Sequence, residues 1–153
     1  MATEKYLYEQ LESNAYKLRI LSPEPSEYSY ITNNIKFPLF DWNKNALEKF
    51  LTFQKIKEVE QNINATHLMF NMATGSGKTV IMASLILYYY KLGYRNFIFF
   101  VNQNNIVGKT ENNLIDTNHN KYLYNQSIVI DDKKIIIKKV DVFSNQTDDI
   151  EII

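Results

Sequence analysis

The sequence predicts an α/β domain with a mainly parallel sheet, and three stretches predict it. Residues 68–70 form a short apolar run, the body of a strand at 68–71 that ends in a glycine-rich turn. Residues 80–92 are apolar almost all round, as expected of a helix covered on every side. Residues 97–101, Phe-Ile-Phe-Phe-Val, form a continuous apolar run. Such a run reads as a central parallel strand buried on both faces. Strand, helix and strand in that order make one right-handed βαβ crossover.

The turn between the first two elements carries chemistry. It reads Asn71-Met72-Ala73-Thr74-Gly75-Ser76-Gly77-Lys78-Thr79. The ending Gly-Lys-Thr is a phosphate-binding signature, and the strand before it and helix after it supply the required context. Gly75 and Gly77 allow backbone conformations that turn successive N–H groups towards an anion. The helix that follows points its positive end at the same place. Residues 73–79 therefore cradle phosphates, Lys78 reaches the β- and γ-phosphate oxygens, and Thr79 ligands Mg²⁺. The strict motif opens with glycine where this chain has Met72. A glycine turn into an ordinary helix is the plain alternative.

The chain has 153 residues, about one domain, with 17 basic and 17 acidic side chains. Zero net charge excludes a global basic field for nucleic acid, though not a local patch. There is no cysteine, which fits a reducing, cytoplasmic location. The N-terminus lacks a secretory apolar core, and the apolar stretch at 80–90 is too short to span a bilayer.

Residues 4–21 carry Leu7, Leu11, Ala15 and Leu18 at helical spacing, and Pro23 and Pro25 then mark a loop. Asp41 reads as the N-cap of an amphipathic helix whose stripe is Ala46, Leu47, Phe50, Leu51, Phe53, Ile56 and Val59. Residues 1–36 are thus a helical lead-in, and 37–153 begin the nucleotide-binding domain. Tyr88, Tyr89 and Tyr90 point about 100° apart on a helix, so they pack rather than form one stacking platform. Gly93 is placed as a C-cap. Residues 104–115 read as a further helix. Residues 127–130 and 134–137 flank Asp131-Asp132-Lys133 as a β-hairpin, and 150–153 start another strand. His67 and His119 have no partner at metal-ligand spacing.

Phosphate hydrolysis needs a second acid on the metal, usually at the end of an apolar strand. Ile128-Val129-Ile130-Asp131 fits that pattern. A compact, self-sufficient ATPase or kinase using Asp131 is one reading, and the hairpin turn is the favoured other. A non-enzymatic fragment is a third. The simplest expectation is an N-terminal piece that stops before its metal-binding acid.

Phe70 to Thr79 resembles the first motif of superfamily 2 helicase-type ATPases, in the form found in translocating subunits of restriction enzymes. Phe99 to Thr110 is similar to the next segment of type III restriction subunits, and Val140-Asp141-Val142-Phe143 to a later one. The resemblance covers about residues 37–153. It implies a first RecA-like lobe that binds ATP and Mg²⁺. It also implies translocation on double-stranded DNA, endonuclease activity in the parent, and a modification (methyltransferase) subunit as partner. It assigns Asn43, at the head of a helix, to the adenine contact, with neighbouring Trp42 read as a packing residue. It turns residues 102–105 towards DNA phosphates. Lys133, Lys134, Lys138 and Lys139 read either as a basic edge or as solvated lysines that block aggregation.

Overall fold

The computed structural model describes residues 6–62, 64 and 66–153. The lead-in holds α1 (Leu7–Lys17), a 3-10 helix (Pro25–Tyr28) and α2 (Ser29–Thr32). Then come α3 (Asp41–Val59), α4 (Lys78–Lys91), β1 (Asn96–Phe97) and α5 (Asn104–Leu114). Four strands close the chain: β2 (Ile128–Ile130), β3 (Lys133–Ile135), β4 (Ile137–Lys139) and β5 (Ile150–Ile152).

Helix α4 lies at the centre. Its Ile81, Ala83, Ser84, Ile86, Leu87 and Tyr90 are buried, and α2, α3 and α5 all pack on it. From the lead-in, Tyr28, Ile31 and Ile35 join the main core, while α1 adds Leu11 and Ala15 to a smaller cluster with Ile56. Tyr88 and Tyr89 meet Phe50 edge-on, with centroids at 5.0 and 6.1 Å. The buried Tyr90 hydroxyl donates to the Asp148 carbonyl at 2.9 Å. The three tyrosines are packing residues and form no stacking platform: Tyr88 and Tyr89 share Phe50 and meet each other edge-on at 5.2 Å, while Tyr90 turns to Asp148.

The end of α4 is a glycine-based C-cap. Gly93 has φ +100°, its N–H bonds the Tyr90 carbonyl at 2.9 Å, and the Tyr94 N–H bonds the Tyr89 carbonyl at 3.0 Å. These two bonds satisfy carbonyls that the helix end would leave open. Asp41, by contrast, is not the N-cap of α3. Phe40 takes that place, and Asp41 stands in the first turn with its carboxylate 3.7 Å from Lys44. An acid there still meets the positive end of the helix.

The sheet differs from expectation in which strand is central. Its order is β1-β5-β4, all parallel, so β5 is the middle strand. Residues 97–101 were expected at the centre, yet Ile98 is 55% and Phe100 89% exposed. Phe97 and Phe99 face the core. An apolar run does not by itself distinguish a two-sided from a one-sided strand. β1 lies at an edge of this sheet, and its contact with β5 continues as the Phe99 N–H bonds the Ile153 carbonyl at 2.9 Å. Residues 68–71 pack Leu68 and Phe70 on the core but join no ladder among the described residues. The expected crossover therefore keeps its helix and lacks pairing between its two flanking runs.

The expected hairpin forms, with a two-residue turn in place of three and its second strand at Lys133–Ile135 rather than 134–137. β2 and β3 are antiparallel, with Ile130 opposite Lys133. Asp131 and Asp132 both take positive φ, 52° and 61°, the geometry of the two-residue turn that suits strand twist. After Ile135 the chain passes straight into β4 and changes sheets. Glu151 of β5 is fully covered yet charged. Its carboxylate accepts the Ser144 hydroxyl at 2.6 Å and the Ser144 N–H at 2.7 Å, and Lys138 Nζ lies at 3.4 Å. The Ser144 hydroxyl first, then its N–H, hold the carboxyl below the usual carboxylate range.

Two predictions follow from these anchors. Gly93→Ala should cost about 1–2 kcal/mol in denaturant unfolding, because its φ and not space is the obstacle; an unchanged midpoint would refute the capping role. A carboxyl lowered by folding stabilises the protein above its unfolded value and loses that contribution as pH falls through the folded one. Ser144→Ala should therefore unfold more readily than the parent at pH 7, and the gap between the two midpoints should narrow as the solution is acidified through the carboxylate range. A constant gap across that range would sink the assignment.

Candidate phosphate-binding site

The loop between residue 71 and α4 is shaped by its glycines. Gly75 has φ +80° and Gly77 φ +87°. A side chain at Gly75 would meet nothing within 4 Å, so its left-handed backbone alone demands glycine there. At Gly77 a Cβ would also stand 3.0 Å from Asn43 Nδ2. Gly77 is the N-cap residue of α4, so the first N–H groups of a 14-residue helix open on the loop. Lys78 is exposed, and its Nζ donates to the carbonyls of Met72 and Ala73 at 2.9 Å each. The Ser76 hydroxyl donates to the Ala73 carbonyl at 2.7 Å. Ala73, Thr74, Gly75, Ser76, Gly77, Lys78 and Thr79 thus lie together, with an ammonium at the mouth of the turn.

The head of α3 closes the loop from behind. Asn43 is 1% exposed, and its Nδ2 donates to the Ser76 carbonyl at 2.9 Å. The Trp42 indole N–H donates to the same carbonyl at 2.9 Å. Trp42 is 54% exposed and stacks on Phe40 at 4.7 Å, so it is no core packing residue. Its part in the loop was missed because its acceptor is a backbone carbonyl, which no residue letter reveals. The one sequence signal was an indole beside an amide at the head of a helix.

Other candidates lie elsewhere. Asp131 is ion-paired with Lys91 at the far end of α4, about 20 Å from Lys78 at the helix rise per residue. It serves the hairpin turn, and the reading of Asp131 as the metal acid fails on that distance. Lys139 pairs with Glu111 at 2.6 Å, and Lys138 lies 3.6 Å from Asp149. Half of the hairpin's basic edge is therefore neutralised. Residues 102 and 103 are exposed and lead into α5. His67 is exposed, and His119 Nδ1 accepts the Lys121 N–H at 3.1 Å.

Comparison with known proteins agrees with this geometry. The family model "Type III restriction enzyme, res subunit" matches residues 36–153. The chain is 47% identical over 160 aligned positions to the probable type III restriction-modification enzyme HindVIP Res subunit of Haemophilus influenzae. That alignment covers 99% of this chain and 31% of the relative. The chain thus spans about a third of the length of the curated relative it matches. No solved structure matches it. A phosphate-type loop in an α/β lobe, a family match across most of the chain and 47% identity converge: the chain belongs to the type III restriction enzyme Res subunit family.

Proposed function

We propose that this chain is the ATP-binding part of a DNA-dependent ATPase and translocase of a restriction-type enzyme, and that it does not turn over ATP alone. The carrying observation is the loop itself: left-handed Gly75 and Gly77, Lys78 at its mouth, and the start of α4 beneath it. The residues fit a nucleoside triphosphate, since a side chain at Gly75 would meet nothing within 4 Å and the exposed Lys78 ammonium stands at the turn. Residues 73–79 would hold the phosphates, Lys78 would meet the β- and γ-oxygens, and Thr79 would hold Mg²⁺. The metal, when bound, neutralises charge that develops on the transferring phosphoryl group. Asn43 was assigned to adenine, and its buried amide now favours the loop instead.

The relative's name carries the wider reading. That relative is named a restriction-modification Res subunit, and for the whole enzyme we propose double-stranded DNA as substrate, endonuclease activity, and a modification subunit as partner. Residues 102–105, at the entry to α5, would face DNA phosphates through polar groups rather than a basic field. Among the described residues no helix is long and apolar enough to cross a membrane, and a cytoplasmic site of action accords with the absence of cysteine.

Calorimetry with ATP·Mg²⁺ tests the core of this. The chain should bind weakly, and Lys78→Ala should lose roughly 10- to 150-fold, the worth of a charged hydrogen bond. No binding to either protein would overturn the nucleotide reading. Phosphate release by the isolated chain should stay at background. Turnover abolished by Asp131→Asn would instead restore the self-sufficient ATPase.

A further inference from the structure

We propose that Trp42 and Asn43 are positioning residues that aim the Gly77 N–H into the phosphate cradle, an inference that rests on the nucleotide reading above. Both side chains donate to one acceptor, the Ser76 carbonyl, at 2.9 Å each. That carbonyl and the Gly77 N–H belong to the same peptide unit. A trans peptide is planar, so its C=O and N–H point in opposite directions. Holding the carbonyl against the head of α3 therefore sends the Gly77 N–H the other way, to the side of the loop where α4 opens.

Such a hold matters because the peptide is otherwise free to turn. Gly77 at φ +87° is flanked by Gly75 at φ +80°, and glycine passes between left- and right-handed conformations at little cost. One neutral hydrogen bond restrains such a flip weakly, and two on one carbonyl restrain it more. The fit at the back is close. A Cβ on Gly77 would stand 3.0 Å from Asn43 Nδ2 and 3.1 Å from Oδ1. Asn43 is buried and Trp42 is half out in solvent, so Asn43 carries the larger share. Adenine recognition by Asn43 is the competing role, and its placement decides against it: Nδ2 is engaged with the loop and the side chain is covered.

The test uses two ligands that share phosphates and differ in the base. Magnesium tripolyphosphate and ATP·Mg²⁺ are titrated into the parent, Asn43→Ala and Trp42→Phe. Asn43→Ala removes the donor without adding a charge, and Trp42→Phe keeps a ring and removes the N–H. Asn43→Ala should weaken both ligands alike, by about tenfold, and Trp42→Phe by less. Loss of ATP with tripolyphosphate unchanged would make Asn43 an adenine contact and overturn the proposal. The ¹⁵N resonance of the Gly77 amide gives a second readout without ligand, with thermal melts run beside it. It should move or broaden in both variants while their melts stay within a few degrees of the parent. If the parent binds neither ligand, the nucleotide reading fails. The Gly77 amide then still decides whether the anchor exists, and an unmoved resonance in both variants refutes it.

Discussion

The burial of α4 is the constraint on which the rest of the structure depends. A helix apolar almost all round must be covered on every side. Here the cover comes from α2, α3 and α5 and from Tyr124, whose fully buried hydroxyl donates to the Ala83 carbonyl at 3.2 Å. The core that results holds Leu47 and Phe50 of α3, Leu114 of α5, Ile128 and Ile135 of the hairpin, and Ile150 and Ile152 of β5. Because these elements converge on α4, its direction is fixed. Its N-terminus can then serve as a rigid floor for the glycine loop.

The same helix separates two kinds of chemistry. At its start, exposed N–H groups and Lys78 favour an anion. At its end, Gly93 closes the carbonyls and Lys91 pairs with Asp131 of the hairpin. The acid that sequence spacing offered as a metal partner is thus spent where negative charge suits a lysine. Helix length decides between the two readings of Asp131, which local pattern alone left open. Any acid that completes a metal site must approach the start of α4.

What could be read from the sequence follows the range of the forces involved. The glycine loop, the all-round burial of α4, the Gly93 cap and the hairpin are local: each depends on residues within a few positions of one another. They were legible because a left-handed turn demands glycine or a small polar residue, and Asp131-Asp132 supplied the latter. The identity of the central strand was not legible. Residues 150–152 are Ile-Glu-Ile, a short run with a charge in the middle, yet they sit between β1 and β4. Glu151 is tolerated there only because Ser144 and Lys138 satisfy it, and neither is visible from alternation. Trp42 was read as a packing residue, and Asn43 as a base contact by family resemblance. Their common target is a main-chain carbonyl 33 or 34 residues away, which no pattern encodes.

The loop's departure from the strict motif also has a physical account. Met72 stands where glycine is the rule, but it is not among the residues with positive φ. An ordinary backbone there needs no glycine. What Met72 gives the site is its carbonyl, which with that of Ala73 holds the Lys78 ammonium. Any residue could supply that oxygen. An arriving phosphate would compete with these two neutral carbonyls for the lysine, and a charge-assisted bond to an anion is roughly twice as strong as a neutral one. The exchange requires side-chain torsions of one exposed lysine and no rebuilding of the turn. The shape of the turn must then already exist before ligand arrives. It rests on Gly75, on Gly77 and on the carbonyl of the serine between them, and at none of these points does Met72 take part.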